Sequence, residues 1–576
     1  SEQIHMKDNT KTKFFVELIK PSHYDDDGYV IQWRKSWIPS NTLACIYGLT
    51  RDAAEQSILG SDVEFVINAY DEMNTVIPVA DIIRRFKNGG GCGVVFFVGV
   101  QSNQFPRAMD IARQLLDENI QVAIGGFHTS GCIAMLPELP DDLKKAIEMG
   151  IALFAGEAEE GRLIDVFKDA YHRDMKPTYN FLGDLPGLEG QPTPLMPKDV
   201  SERFVNQIGC FDAGRGCSFL CSFCTVINVQ GRKSRYRNPD DLEKLIRSNI
   251  SNGINDFFIT DDNFARNKNW EALFDRLINL RENQGFKHVK FTMQVDSLAY
   301  KIPNFVSKAA RAGCRRVFIG LESISPENLK AVNKRQNKID DYRKMFQSWR
   351  NARIVTAAGY ILGFPADTPE KIEQDIKTIQ QELAVDLLEF FCLTPLPGSE
   401  DHKNNHLQGV WMDPDLNKYD LEHVTMSHSQ MSKEEWADIY RKAWDIYYSP
   451  EHIKTLIRRA AAGGPNPSRV MLHIHQFYGT IKYQDVHPLQ GGFLRRKIRT
   501  QRRPGMPQEN LLIFYPRRAW ETISGLVPFG LYYLKLRSIR KKIKRNPERR
   551  SYMDKALIPV KETEEDILEK ESIVSH

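Results

Sequence analysis

Short apolar runs alternate with helix-periodic segments along most of this 576-residue chain. Between residues 60 and 175 the runs VEFVINAY (63–70), GVVFFVGV (93–100), QVAIGGFH (121–128) and IALFAGEAEEG (151–161) are separated by VADIIRRF, FPRAMDIARQLLDEN and DDLKKAIEMG. Wholly apolar strands joined through helices belong to a parallel sheet covered on both faces. An open, doubly wound (Rossmann or flavodoxin-like) α/β domain is therefore expected, with its ligand crevice at the carboxyl ends of the strands. The alternation resumes after residue 200, through RFVNQIGCFDA, NDFFITDDNFA, KFTMQVDSLA, RRVFIGLESIS, VTAAGYILGFP and VDLLEFFCLTPLPGS, each followed by a helical segment. Six βα units in succession predict a partial (β/α)6 barrel with its chemistry at the C-terminal strand ends.

The chain is too long for a single core. The expected organisation is an N-terminal extension (1–60), the doubly wound domain (61–178), a Pro/Gly-rich linker (179–200), the barrel (201–425), a helical C-terminal domain (426–485) and a basic amphipathic tail (486–576). Nine cysteines, an odd number scattered over a long chain, do not suggest a secreted disulfide framework, and a reducing cytoplasm is expected. The opening SEQIHMKDNTKTK is polar and reads as no signal peptide.

Three of the cysteines stand together in RGCSFLCSFC: Cys217, Cys221 and Cys224, with Phe223 before the last. Soft thiolate ligands favour an iron–sulfur cluster or zinc. A structural zinc site closes with four ligands, so three in one loop point to a centre with an open position. The strand ends that follow carry Thr260-Asp261-Asp262-Asn263, then Glu322-Ser323 in GLES, then Gly359-Tyr-Ile361-Leu-Gly363. In the first domain they carry Gly99 with Ser102-Asn103-Gln104, Gly125-Gly126 with His128-Thr129, and Gly156-Glu157. Glycines admit a ligand close to the backbone, and the neighbouring polar residues offer hydrogen bonds.

The C-x3-C-x2-C spacing with an aromatic before the third Cys resembles the radical S-adenosylmethionine (radical SAM) superfamily. Placed behind the Gly-rich sheet, it looks like the cobalamin-dependent class, which includes the class B radical SAM methyltransferases and is similar to the anaerobic magnesium-protoporphyrin monomethyl ester cyclase. The resemblance implies a 4Fe–4S cluster on Cys217, Cys221 and Cys224. It implies S-adenosylmethionine contacts from Phe223, Asp261, Asp262, Asn263, Glu322, Ser323, Ile361 and Gly363. It implies cobalamin contacts from Gly99, Ser102, Asn103, Gln104, Gly125, Gly126, His128, Thr129, Gly156 and Glu157. Asp-x-His-x-x-Gly is absent, the nearest string Asp485-Val-His487-Pro-Leu-Gln490 ending in Gln, so cobalamin is expected base-off with no protein histidine on cobalt. The implied activity is reductive cleavage of S-adenosylmethionine and methylation of an unactivated carbon. The alternatives are a radical cyclisation or oxidative rearrangement without methyl transfer, and a non-catalytic cobalamin- and metal-binding sensor. A flavodoxin- or ferredoxin-type electron donor is implied as partner.

Residues 495–550 hold seventeen Lys/Arg against Glu509, Glu521 and Glu548, a charge of +14 that leaves the rest of the chain at −10. Leucines and aromatics interleave with these charges, which predicts a peripheral contact with a membrane surface and a small-molecule or lipid substrate. A packed helix with a solvated basic face is the plainer reading, and no nucleic-acid-reading module accompanies the charge.

Overall fold

The structure, a computed structural model, describes residues 11–334 and 338–560; the expectations for residues 1–10 and 561–576 lie outside the described residues. Six parallel strands form the first sheet, in the spatial order Val63–Asp71, Thr12–Lys20, Gly93–Phe97, Val122–Gly125, Ala152–Ala155, Thr178–Asn180. In chain order this is 2-1-3-4-5-6, the doubly wound pattern whose direction reverses between the first and third strands.

The N-terminal residues are not an extension. Thr12–Lys20 lies inside the sheet, paired with Val63–Asp71 on one side and with Gly93–Phe97 on the other. The run FFVELI is buried throughout, including Glu17, whose carboxylate is held by Arg85 at 2.8 Å and Asn68 at 3.1 Å. A charged residue in mid-run masks a central strand in the sequence, and only its distant partners reveal it.

The second sheet also has six strands, all parallel and in sequential order: Ile208–Phe211, Asp256–Ile259, Lys290–Val295, Cys314–Glu322, Val355–Leu362, Leu387–Cys392. It is a partial (β/α)6 barrel. In Cys314–Glu322 the side chains of Val317, Ile319 and Leu321 are buried against the helices, whereas Arg316, Phe318 and Glu322 face the interior and are half-buried. The C-terminal helix Lys433–Tyr447 packs on the helix Pro369–Glu382 and on the last barrel strand. Aromatics of this helix and its C-cap bind the last two strands and their approach directly: Tyr447 donates to the Val385 carbonyl, Tyr448 to Leu388 and Trp436 Nε1 to Leu362.

The two ends of the chain interlock. Gln32–Ser36 pairs antiparallel with Gly492–Arg496. Asn417 exchanges two hydrogen bonds with the backbone of Tyr24, and Arg495 and Arg503 pair with Asp25 and Asp415. All nine cysteines are free thiols. Among the described residues no helix is long and apolar enough to cross a membrane.

The place of Thr12–Lys20 yields a direct test. Phe14 is fully buried, edge-on to Phe65 at 5.2 Å and to Phe167 at 6.1 Å. Phe14→Ala should destabilise the protein by roughly 3–5 kcal/mol in urea unfolding, the cost of a cavity under a central strand. A change within experimental error would mean the strand is peripheral.

Candidate functional site

Gly99, Gly125, Gly126 and Gly156 end successive strands of the first sheet and line one side of a cleft of about 900 Å3, counting its open mouth. Thr42, Cys45, Ser130, Glu157, Glu159, Arg215 and Gln230 complete its wall. Gly126 is required by the geometry: φ is +143°, and a Cβ there would lie 2.2 Å from the Val100 nitrogen. Backbone alone can form that edge.

The other residues nominated in this domain lie off the cleft wall. GGFHTSG is not a loop beyond Gly126, because the helix Phe127–Met135 begins at once. His128 is buried, Nδ1 against the Ser102 hydroxyl at 3.0 Å and Nε2 against Asp142 at 2.7 Å, so both ring nitrogens are engaged. Ser102, Asn103 and Gln104 form a buried 3-10 turn. Asn103 Oδ1 and Thr129 Oγ1 are buried without a hydrogen-bond partner among the described residues. Such atoms are rare and mark a place where water or a polar ligand group completes the bonding.

Arg215 belongs to both halves of the molecule. It lines the cleft and stands two residues before Cys217. Its guanidinium meets Glu157 at 2.5 Å, Glu159 at 2.6 Å and Asp212 at 2.8 Å. Arg235 takes the same Glu157 carboxylate, and Arg237 reaches Asp212. Burial works against charge on Asp212 and Glu159, but Arg215 outweighs it, with Arg237 adding to the pull, and holds both carboxyls below their usual range. Glu157 was nominated as a ligand contact; its carboxylate is committed to two arginines.

The cysteine loop follows without regular structure. Cys217 N–H donates to the Gly231 carbonyl, and Cys224 N–H to Cys221. Burial, which is the largest effect, raises the Cys221 thiol to about 11 and the Cys224 thiol to about 12, and the nearby Asp262 carboxylate adds to the rise at Cys224. Thiolates here need a cation beside them, which suits metal binding coupled to proton release. Among the described residues no three metal-type side chains converge on one ion.

The barrel's strand-end residues divide in two. Asp262, Asn263 and Glu322 gather at the cysteines: Asp262 acts on Cys217 and Cys224, Asn263 hydrogen-bonds Cys217, and Glu322 acts on Cys221. Asp262 is accessible to water yet deep in the molecule, and loss of hydration raises its carboxyl to about 6. Glu322 has φ +64° at a register shift in the strand, and its carboxylate pairs with Lys334 at 3.0 Å. Phe223 lies half-buried, 6.3 Å from Phe364, at the end of the Val355–Leu362 strand beside the half-buried Ile361.

The second group is structural. Asp261 points away from the cysteines; its carboxylate accepts from Ala213 N–H at 2.7 Å and from Asn267, and burial raises it to about 7. Ser323 is fully buried and accepts from Ser325 N–H. Gly363 makes room for Trp436, whose ring would overlap a Cβ there. Lys334 was missed in the sequence, being one lysine among many in a helix-flanking turn.

Residues 213–379 match the Radical SAM superfamily, and the chain carries that domain. Bacteriochlorophyllide d C-8(2)-methyltransferase of Chlorobaculum tepidum is 28% identical over 37% of this chain and 48% of its own length. Hopanoid C-2 methylase of Rhodopseudomonas palustris is 27% identical over 52% of this chain and 56% of its own length. The chain thus spans about half the length of these curated relatives. Among solved structures, the radical S-adenosylmethionine methyltransferase TsrM of Kitasatospora setae, with cobalamin and a [4Fe-4S] cluster bound, superposes with TM-score 0.56 at 14% identity, over 80% of this chain and 97% of that one. The cobalamin-dependent S-adenosylmethionine radical enzyme OxsB superposes with TM-score 0.54 at 12% identity, over 97% and 83%. At these identities the superpositions establish the fold: a doubly wound N-terminal domain followed by the barrel.

Arg215→Gln should cost roughly 3–5 kcal/mol in urea unfolding at neutral pH, the usual penalty for leaving buried carboxylates without their partner. Asp212 and Glu159 have depressed values in the folded protein, so their stabilisation is present above pH ~4 and lost as pH falls through those lowered values. The gap between wild type and variant should therefore narrow below pH ~4. A gap independent of pH would separate the arginine from these carboxylates.

Proposed function

We propose that this radical SAM protein is an enzyme that reductively cleaves S-adenosylmethionine and transfers a methyl group to an unactivated carbon of a small-molecule or lipid substrate. Cys217, Cys221 and Cys224 would hold a 4Fe–4S cluster, and the glycine-lined cleft would hold cobalamin, base-off and with no protein histidine on cobalt. When bound, the cluster supplies an electron to the sulfonium, and cobalamin supplies a carrier for the methyl group. The single observation that carries the reading is Arg215. One side chain forms part of the cleft wall and sits two residues from Cys217, so the cysteine loop starts at the edge of the cleft rather than at the opposite end of the molecule. The methyltransferase names of the relatives support the choice of methylation over cyclisation.

The chain's own residues would do the following. Asp262, accessible and beside the thiols, offers a carboxylate to the ammonium of S-adenosylmethionine. The Glu322–Lys334 pair offers an acceptor and a donor on the far side of the loop, placed for the carboxylate and ribose. Phe223 and Ile361, both half-buried, form the apolar surface against which a flat base can pack and from which water is displaced, with the buried Phe364 ring 6.3 Å from Phe223. Asn263 and Asp261 position these groups without touching the ligand, since both are taken up by hydrogen bonds within the protein. A flavodoxin- or ferredoxin-type protein would supply electrons, and a peripheral contact of residues 495–550 with a membrane surface fits a substrate that partitions into lipid.

The test is anaerobic reconstitution with iron, sulfide and cobalamin, followed by incubation with S-adenosylmethionine and reductant. Wild type should form 5′-deoxyadenosine, and Cys221→Ala should form none above background and fail to take up iron. With the substrate identified from metabolite comparison of wild-type and Cys221→Ala strains, S-adenosylhomocysteine and 5′-deoxyadenosine should appear in equal amounts. 5′-Deoxyadenosine with an unmethylated, oxidised product would replace methylation by cyclisation. Uptake of zinc alone would remove the enzyme.

A further inference from the structure

The helix Leu511–Arg545 is the longest in the protein, and it has an apolar surface on both sides. One side packs inward through Phe514, Tyr532 and Leu536, all buried. The opposite side carries Leu512, Trp520, Ile523, Val527, Leu531 and Leu534, every one exposed, with Leu512 at 84% and Trp520 at 70%. Their spacing, in steps of three, four or eight, puts them on one stripe of an α-helix, about 33 Å long at 1.5 Å per residue. An exposed apolar stripe of this length on a folded protein marks a contact surface.

Charge says what the surface contacts. From Lys535 onward the helix carries Lys535, Arg537, Lys541, Lys542, Lys544 and Arg545, all exposed, and no acidic residue. None of these six has an ion-pair partner among the described residues. The basic residues nearer the start differ: Arg517 is tied to Asp27, Glu509 and Glu521, and Arg518 to Glu521. Lys541 and Arg545 continue the line of the apolar stripe by the same helical spacing. Beside the stripe, Leu531 and Lys535 also line an open cleft of about 1160 Å3, counting its mouth, which is walled by Tyr478, Tyr483 and Tyr532. Because the helix cannot span a bilayer, these features describe one that lies on it, with Trp520 at the depth of the headgroups and the cationic end against anionic lipid.

We propose that the outer face of Leu511–Arg545 docks this protein on an anionic lipid bilayer, with the apolar stripe entering the interface and the Lys535–Arg545 charges binding headgroups. The proposal rests on the membrane-facing reading of residues 495–550 and is independent of the radical chemistry. Its test is co-sedimentation of the full chain with phosphatidylcholine vesicles, with and without phosphatidylglycerol. Wild type should bind the anionic vesicles and lose affinity steeply with added salt. Trp520→Glu/Ile523→Glu/Leu534→Glu and, separately, Lys541→Glu/Lys542→Glu/Arg545→Glu should each weaken binding by about tenfold or more. All six positions are exposed, so both variants should keep the wild-type melting temperature, and 5′-deoxyadenosine formation without vesicles reports independently on the catalytic reading. Brominated lipid should quench wild-type tryptophan fluorescence more than that of Trp520→Phe. Three results would overturn the proposal: equal partitioning of wild type and variants; a wild-type dimer in solution that the apolar variant dissociates, which would make the stripe a subunit interface; or binding seen only when the chain ends at Val560, which would make the acidic residues 561–576 the occupant of this face.

Discussion

Arg215 is the point on which both halves of the molecule depend. Its guanidinium offers donors in a fixed planar fork, and three carboxylates from two domains take them. With Arg235 and Arg237 the cluster contains three cations and three anions, so burial leaves no net charge to be solvated. A buried network of this kind contributes little to stability compared with an apolar core of the same volume. What it can provide is position. Glu157 and Glu159 leave the fifth strand of the first sheet, Asp212 ends the first strand of the barrel, and the cysteine loop starts two residues beyond the arginine. A lysine, with one compact charge, could not reach all three partners at once. The distance between the glycine-lined cleft and the cysteines is thereby fixed by side chains rather than by the linker 179–200.

The parallel architecture was legible because its rule is local. Strands covered on both faces are apolar throughout, and glycines collect at their carboxyl ends; Gly99, Gly125, Gly126 and Gly156 could be placed from that alone. The structure puts all four on one cleft. Thr12–Lys20 escaped because Glu17 breaks the apolar run, and what makes that glutamate tolerable, Arg85, is 68 residues away. His128 was placed in the right region but the wrong element: one φ value at Gly126 decides whether GFHTSG is a loop or the start of a helix, and the residues alone do not state it. Lys334 was illegible, and Arg215 could be read as shaping the approach to the cysteine loop or as a surface charge but not as an ion-pair centre, for a common reason. A basic residue in a loop reads as surface, and only the fold shows that carboxylates have been brought to it.

The basic C-terminal stretch has a similar lesson. Its +14 charge is one number in the sequence but two populations in the fold. Arg495, Lys497, Arg503 and Arg517 neutralise Asp25, Asp27 and Asp415, and with Gln32–Ser36 against Gly492–Arg496 they fasten the end of the chain to its beginning. Those charges are part of the protein's own packing. Lys535, Arg537, Lys541, Lys542, Lys544 and Arg545 face outward without an ion-pair partner among the described residues, and this stretch of about three turns of helix is a source of long-range field from the tail.

The strand-end carboxylates separate by how they are held. Asp261 spends its oxygens on Ala213 and Asn267, and in doing so pins the turn after Ile208–Phe211 to the end of Asp256–Ile259. Asp262, next in the chain, lies in the turn beyond that strand and emerges beside the cysteines. Glu322 arrives there differently. The register shift after Gly320 and a left-handed φ of +64° turn its side chain toward Cys221, a conformation that costs about 1 kcal/mol or more for a residue with a Cβ. The Lys334 ammonium, bonded to both the Glu322 carboxylate and the Gly320 carbonyl, offsets that cost. The strained backbone and the half-buried ion pair that holds it thus place a carboxylate at the strand end that meets the cysteine loop.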